Sequence, residues 1–320
     1  MLIRSDVTEV VSSFAEDVRD GLGRAGQKEL PSKYLYDDIG SALFEAITRL
    51  PEYGLTRAEE RILRRHSGDI ADCLRAHGMV VELGSGSGKK TRQILEALAR
   101  HKSMTYCPIE ISSAALVRCE RELDDLAHVS ILGFETEYLD GLSKAVARRH
   151  PGDSVVVLFL GSSIGNFDRG PAEEFLRKIR QTIEPGDTLL LGTDLEKPLA
   201  QLIPAYDDSL GLTQAFNRNL LARINCELGG DFDLSRFQHV ALYNARERRI
   251  EMHLRSTATQ TVTIDETNFT LRCDETIWTE SCHKYGRNEP AEMAQRTGFK
   301  CVEQWVDVEW PFAENLLVAV

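Results

Sequence analysis

Between an apolar run, Met79–Leu83, and an amphipathic segment, Thr91–Ala99, the chain reads Gly84-Ser85-Gly86-Ser87-Gly88. Glycines at alternate positions let a backbone reverse sharply and approach a bound group without Cβ clashes. The stretch therefore predicts a strand-to-helix turn at the edge of a parallel sheet. Short apolar runs at Met79–Leu83, Thr105–Ile109, Val129–Leu132, Val155–Leu160 and Thr188–Leu191 read as strands buried on both faces. Amphipathic segments separate them, such as Pro171–Ile183 with Phe175, Leu176, Ile179 and Ile183 on one side. The alternation predicts an α/β fold with a doubly wound, mostly parallel, Rossmann-like sheet.

The rhythm is absent at both flanks. Residues 1–75 read as mostly helical, and Thr56-Arg57-Ala58-Glu59 reads as a capping box opening a helix that buries Ile62, Leu63, Ile70 and Leu74. Residues 196–235 read as helical, and 237–273 alternate apolar and polar like antiparallel strands. Cys301–Val306 and Leu316–Val320 read as two closing strands. The expected organisation is a core of 76–195 plus 286–320, and a second α+β lobe of 1–75 plus 196–285. A cleft between two lobes is the natural ligand site.

A net charge of -12 disfavours a polyanionic partner, so a small molecule is expected and nucleic acid is not. Neither a basic start followed by an apolar segment nor an apolar run of about eighteen residues occurs, so no signal peptide or membrane partner is expected. The seven cysteines are scattered without a CxxC pair, which reads as reduced thiols in a cytoplasmic chain. Cys282 and His283 adjoin, but no second ligand pair accompanies them, so no metal site is expected. A monomer is expected.

The glycine turn carries the first chemistry. Its pattern is GxGxG, neither GxGxxG nor a Walker loop, since Lys89 is followed by Lys90. Glu110, 22 residues beyond Gly88, stands at the end of the second expected strand, where a carboxylate grips ribose hydroxyls. Glu137 and Tyr138 follow the third, where an acid can read an adenine amino group. The turn alone can be no more than a tight connection; with these acids in order it reads as a nucleoside site. With Glu82 before it, it resembles motif I of class I S-adenosylmethionine (SAM) methyltransferases. An NAD dehydrogenase is disfavoured by the glycine spacing and by the lack of a hydride-handling His or Lys constellation.

More specific motifs lie outside this portion. LGSSIGN (Leu160–Asn166), LPEY (Leu50–Tyr53), AYDD (Ala205–Asp208), AFNRN (Ala215–Asn219), RRIEMHLR (Arg248–Arg255) and TESCHKY (Thr279–Tyr285) together resemble the histidine-specific SAM-dependent methyltransferase family. The likeness runs from about residue 17 to the C-terminus. It implies a class I methyltransferase core with a second substrate lobe, SAM as cofactor and L-histidine as substrate. The implied product is Nα,Nα,Nα-trimethylhistidine (hercynine), the first intermediate of ergothioneine biosynthesis.

The resemblance also implies roles. Gly84 and Lys90 approach the methionine part of SAM, Glu110 the ribose, and Glu137 and Tyr138 the adenine; Tyr36, grouped with the cofactor-binding residues, lines the substrate and cofactor cavity. Asn166 and Tyr206 hold the substrate carboxylate, Tyr53 and Gly161 lie beside the reacting amine, and Met252 and Glu280 embrace the imidazole with Cys282 beside them. Taken singly, the tyrosines and Met252 also read as core residues, Glu280 as a surface acid and Asn166 as a turn-former. Two departures from the family pattern are visible: Gly54-Leu55 where a Tyr and a Pro are usual, and Cys282 where a Ser is usual. They leave open another aromatic amino acid as substrate. A non-catalytic SAM-binding protein is the reading from a different class.

Overall fold

The computed structural model of the chain describes residues 2–4, 7–74, 77–100 and 102–320, with side chains from residue 13 onward except that of His77. The chain divides into two compact units. One comprises Leu55–Lys197 and Lys284–Val320 together with the strand Leu2–Arg4; the other comprises the described part of residues 6–54 and Pro198–His283.

The first unit is built on a nine-stranded sheet. Across it the strands run Leu2–Arg4, Gly133–Glu135, Met104–Glu110, His77–Leu83, Ser154–Phe159, Thr188–Asp194, Phe312–Ala319 and Phe299–Asp307, with Val129–Ile131 also paired to Met104–Glu110. All pairings are parallel up to Thr188–Asp194; Phe312–Ala319 alone is reversed, pairing antiparallel with Thr188–Asp194 on one side and Phe299–Asp307 on the other. Val155–Phe159 and Leu189–Leu191 are wholly buried, as strands covered on both faces must be. The order reverses between His77–Leu83 and Ser154–Phe159. At such a switch point the two flanking connections diverge and open a crevice at the strands' carboxyl ends. The turns beginning at Gly84 and Gly161 leave the sheet there.

The expected doubly wound α/β sheet is therefore present, with local differences. The Val129–Leu132 run breaks at Leu132, whose N–H turns to Tyr106 O at 2.9 Å, and pairing resumes at Gly133–Glu135. The closing strands begin earlier than their apolar ends suggest, because Glu314 and Asn315 lie inside the sheet. The larger correction concerns the helix Gly54–Leu74. Sequence organisation put it in the second lobe, yet from Leu55 onward it belongs to the sheet unit; the boundary expected at 75/76 lies outside the described residues. Ile62, Leu63, Ile70 and Leu74 are buried as expected. The capping box is not formed, since the helix starts at Gly54 and leaves Thr56 inside its first turn. Glu59 instead points inward and is fully buried.

The second unit has the helices Val7–Gly23, Asp38–Ile47, Leu199–Tyr206 and Leu212–Leu228. It also holds a four-stranded sheet ordered Lys28–Glu29, Thr276–His283, Arg249–Ser256, Phe237–Asn244, and a hairpin Gln260–Ile264/Thr267–Leu271. Polar residues of the AYDD and AFNRN motifs brace it. Asp208 accepts from Leu212 N and Thr213 N at 2.9 and 2.7 Å, closing the helix start. Asn219 donates to Asp37, which caps Asp38–Ile47 through Gly40 N, each at 2.7 Å. Among the described residues no helix is long and apolar enough to cross a membrane.

The chain leaves the sheet unit after Lys197 and returns at Lys284, and one carboxylate anchors both crossings. Asp194, the last residue of Thr188–Asp194, pairs with Lys197 and, at 2.9 Å, with Lys284; all three side chains are buried. Burial opposes the charged form of Asp194, but the two ammonium groups outweigh it and hold the carboxyl below its usual range. Burial first of all pulls Lys197 down to about 8. Removing one partner strands the others in a dry environment. Asp194→Asn should therefore lose about 3–5 kcal/mol of stability, read as a fall in the midpoint of urea unfolding; an unchanged midpoint would show that the trio contributes nothing.

Candidate functional site

The first group of site residues gathers at the carboxyl ends of the central strands. After Leu83 the N–H groups of Gly84 and Ser85 both turn to Ile109 O, at 2.9 and 3.3 Å. Gly84, Gly86 and Gly88 all take left-handed φ, at 77°, 52° and 74°, a region that costs a side chain energy. Space is also short at two of them. A Cβ at Gly88 would meet Cys119 Sγ at 2.8 Å, and one at Gly84 would meet Tyr138 Oη at 3.2 Å. Gly86 has nothing within 4 Å of that position, so its side of the turn is open.

Glu82 braces the turn from below. Thr91 Oγ1, on the helix Lys89–Ala99, lies 2.7 and 2.8 Å from its two oxygens, and Tyr106 donates to the same carboxylate. Burial pushes the Glu82 carboxyl up to about 7, while the Thr91 and Tyr106 bonds pull it down. Glu110 is set by its backbone surroundings. Its Oε1 accepts from Ile111 N and Ser112 N at 2.9 and 3.2 Å, and its Oε2 from Gly86 N at 3.1 Å. A carboxylate has about four acceptor positions, so Oε2 retains one that can take a hydroxyl. Burial raises the Glu110 carboxyl, and the three N–H bonds oppose that rise.

Tyr138 opens the helix Tyr138–Val146, its ring edge-on to Phe159 at 5.5 Å, with exposed Glu137 just before it. Lys90, second in its helix, sends its ammonium to Glu59. Gly161 and Ser162 take left-handed φ of 71° and 58° after the fourth strand, and Asn166 ends the short 3-10 turn Ser163–Asn166. A Cβ at Gly161 would find only ordinary contacts, Lys90 Nζ at 3.5 Å and Ser163 Oγ at 3.7 Å. Backbone conformation, rather than crowding, explains the glycine.

The second unit assembles the remaining residues. Met252 and Glu280 are register partners on adjacent antiparallel strands, so they share a face, and Cys282 lies two residues on along that face. All three are buried. Tyr36 Oη donates to Glu280 Oε1 at 3.3 Å and Cys282 Sγ to Glu280 Oε2 at 3.5 Å. Rings continue the group. Tyr36 lies 5.5 Å from Phe44 and 5.4 Å from Phe216, Phe44 lies 6.1 Å from Tyr53, and Tyr53 lies 6.3 Å from Tyr206. Tyr36, expected to line the substrate and cofactor cavity, is bonded within this unit to Glu280, the acid expected to read the imidazole.

Sequence reasoning missed three members. Phe44 carries no motif signal and Phe216 only its place within AFNRN, though both pack against the tyrosine rings. Glu59 was absorbed into a capping motif; its signal, a glutamate on a face otherwise carrying Ile62 and Leu63, is only two positions wide. Among the described residues no group of three or more His, Cys, Asp and Glu side chains could hold a metal.

The turn offers glycines that exclude side chains on one side, and Glu110 lies oriented at the next strand end with an acceptor position to spare. Nearby stand an aromatic ring, Tyr138, and an ammonium, Lys90. These donors and spaces fit a nucleoside carrying an amino-acid tail. With the strand order above, they define a class I SAM-dependent methyltransferase. The family described as histidine-specific methyltransferase, SAM-dependent, matches residues 14–319, and the chain belongs to that family.

Several relatives bear on its substrate. The Histidine N-alpha-methyltransferase of Mycobacterium tuberculosis (strain CDC 1551 / Oshkosh) is 41% identical over 95% of this chain and 94% of its own length. Ergothioneine biosynthesis protein 1 of Neurospora crassa is 31% identical over 93% of this chain, which spans 33% of that longer protein. The L-tryptophan methyltransferase trpM of Psilocybe serbica is 26% identical over 88% of this chain and 86% of its own.

Glu82 supplies a pH test of the turn. Its folded pKa, about 7, lies above the ordinary 4.5, so its contribution to stability is complete below 4.5 and is lost as pH rises through 7. The loss is at most roughly 3 kcal/mol. Glu82→Gln still accepts from Thr91 but does not titrate. Relative to wild type it should gain stability by urea unfolding between pH 4.5 and 7.5; a constant difference across that range would refute the raised pKa.

Proposed function

We propose that the enzyme methylates the α-nitrogen of L-histidine, adding three methyl groups to form hercynine, the first step of ergothioneine biosynthesis. The observation that carries this reading is the setting of Glu280. A buried carboxylate is held by a long hydroxyl contact at 3.3 Å and by a thiol at 3.5 Å. A thiol is a weak donor, so an imidazole N–H entering beside Met252 gains more from Glu280 than Cys282 does. The names of the Mycobacterium tuberculosis relative, histidine N-alpha-methyltransferase, and of the Neurospora crassa relative, ergothioneine biosynthesis protein 1, support histidine and its pathway.

SAM supplies an electrophilic methyl on a sulfonium and leaves as S-adenosylhomocysteine. The protein's task is then to bind, orient and exclude water. In this reading Gly84 and Lys90 receive the amino-acid end of the donor, Glu110 a ribose hydroxyl, and Glu137 and Tyr138 the adenine. Asn166 and Tyr206 hold the histidine carboxylate, and Tyr53 accepts a hydrogen bond from the neutral amine and aims its lone pair. Gly161, lacking a side chain, leaves room for the growing methylammonium.

A tryptophan-type substrate is the competing outcome, favoured by the rings of Tyr36, Phe44, Tyr53, Tyr206 and Phe216. A methylation screen of free amino acids read by mass decides between them. Histidine should be consumed fastest and gain three methyl groups, none on the ring. Histamine and histidinamide should be poor acceptors, because each leaves the carboxylate donors unpaired. Glu280→Gln should raise the histidine KM roughly tenfold or more with SAM affinity unchanged. Tryptophan consumed faster than histidine, or histamine methylated as well as histidine, overturns the assignment.

A further inference from the structure

Glu59 is fully buried on the helix Gly54–Leu74 and is used twice. It pairs with the Lys90 ammonium and accepts the N–H of Gly161. One carboxylate thus joins the helix that follows the glycine turn to the turn that follows the fourth strand. The Lys90 side chain is 27% exposed while that of Glu59 is at 0%, so a partly exposed lysine ends on a wholly buried partner. Of its three donors, one is taken by Glu59.

A second acid lies alongside. Glu314, inside the strand Phe312–Ala319, is also fully buried, and its Oε1 and a Glu59 oxygen both crowd the Cβ position of Gly192, at 3.2 and 2.9 Å. Burial first, and the charge of Glu59 next, drive the Glu314 carboxyl far above its usual range, so it stays protonated. The cluster then sets the Glu59–Lys90 pair against a second buried acid whose neutral form is favoured. A second carboxylate charge there would compete for the ammonium and draw it inward.

We propose that Glu59 is a positioning residue for the methyl donor: it holds Lys90 and the Gly161 turn together so that the remaining ammonium donors meet the carboxylate of the donor's amino-acid end. The proposal rests on the reading above that Lys90 faces that end. A long, flexible lysine gives little as a free point charge, because holding it in one geometry costs rotamer entropy. A buried anion beneath it supplies the geometry in advance. Glutamine cannot replace it. Its single oxygen can keep the Gly161 N–H only by turning an NH₂ donor toward another donor.

Calorimetric titration of the whole chain with S-adenosylhomocysteine and with methylthioadenosine tests this, since only the first carries the amino-acid end. Glu59→Gln should weaken S-adenosylhomocysteine about tenfold and change methylthioadenosine by no more than about twofold. On a Lys90→Met background it should add nothing further. Glu59→Asp, shorter but still charged, should recover part of the lost affinity. Equal losses for both ligands would mean a packing defect and overturn the role, as would unchanged S-adenosylhomocysteine binding. If Lys90→Met itself leaves that affinity intact, the placement of Lys90 falls and the role of Glu59 with it. A full Lys90 effect beside a silent Glu59→Gln sinks only the role of Glu59.

Discussion

A strand covered on both faces can carry a charge at low cost only where it ends, and the acids that organise the sheet unit obey that constraint. Glu82 and Glu110 stand at the ends of His77–Leu83 and Met104–Glu110, and Asp194 at the end of Thr188–Asp194. Each carboxylate ties the next piece of chain to the sheet: the helix through Thr91, the turn through Gly86, and the two crossings through Lys197 and Lys284. Glu314 marks the limit of the rule. It lies within a strand, and burial keeps it neutral.

The second unit solves a different problem. An antiparallel pair places every second residue on one face, so Glu280, Cys282 and Met252 are brought together by register alone. The tyrosines come from separate helices and loops and reach one another through Phe44 and Phe216. Rigid rings hold position at little entropic cost. Capping by Asp37 and Asp208 fixes the helices beneath them.

The departures from the family pattern are conservative in effect. Cys282 keeps a donor on Glu280, although a weaker one than a hydroxyl. Gly54 opens the helix Gly54–Leu74, so the residue after Tyr53 serves helix initiation here. Glu59 lies five residues on from Gly54 in the same helix.

Much of this was readable from the chain. Periodicity fixes whether a segment can be a buried strand or an amphipathic helix, and glycine spacing dictates a sharp turn, because both depend on local sterics and on which faces are apolar. The five central strands, the turn at Gly84–Gly88 and the acid at Glu110 follow from that, and the family motifs pointed to residues far from the turn. Other outcomes depend on partners distant in sequence. Glu59 carries the same side chain whether it caps its own helix or pairs with Lys90, 31 residues away. Tyr36 meets Glu280 across 244 residues, and the helix Gly54–Leu74 joins the sheet unit through burial that no local pattern specifies. Only the tertiary structure decided these, because the energy of a buried charge or hydroxyl is set by the groups that surround it after folding.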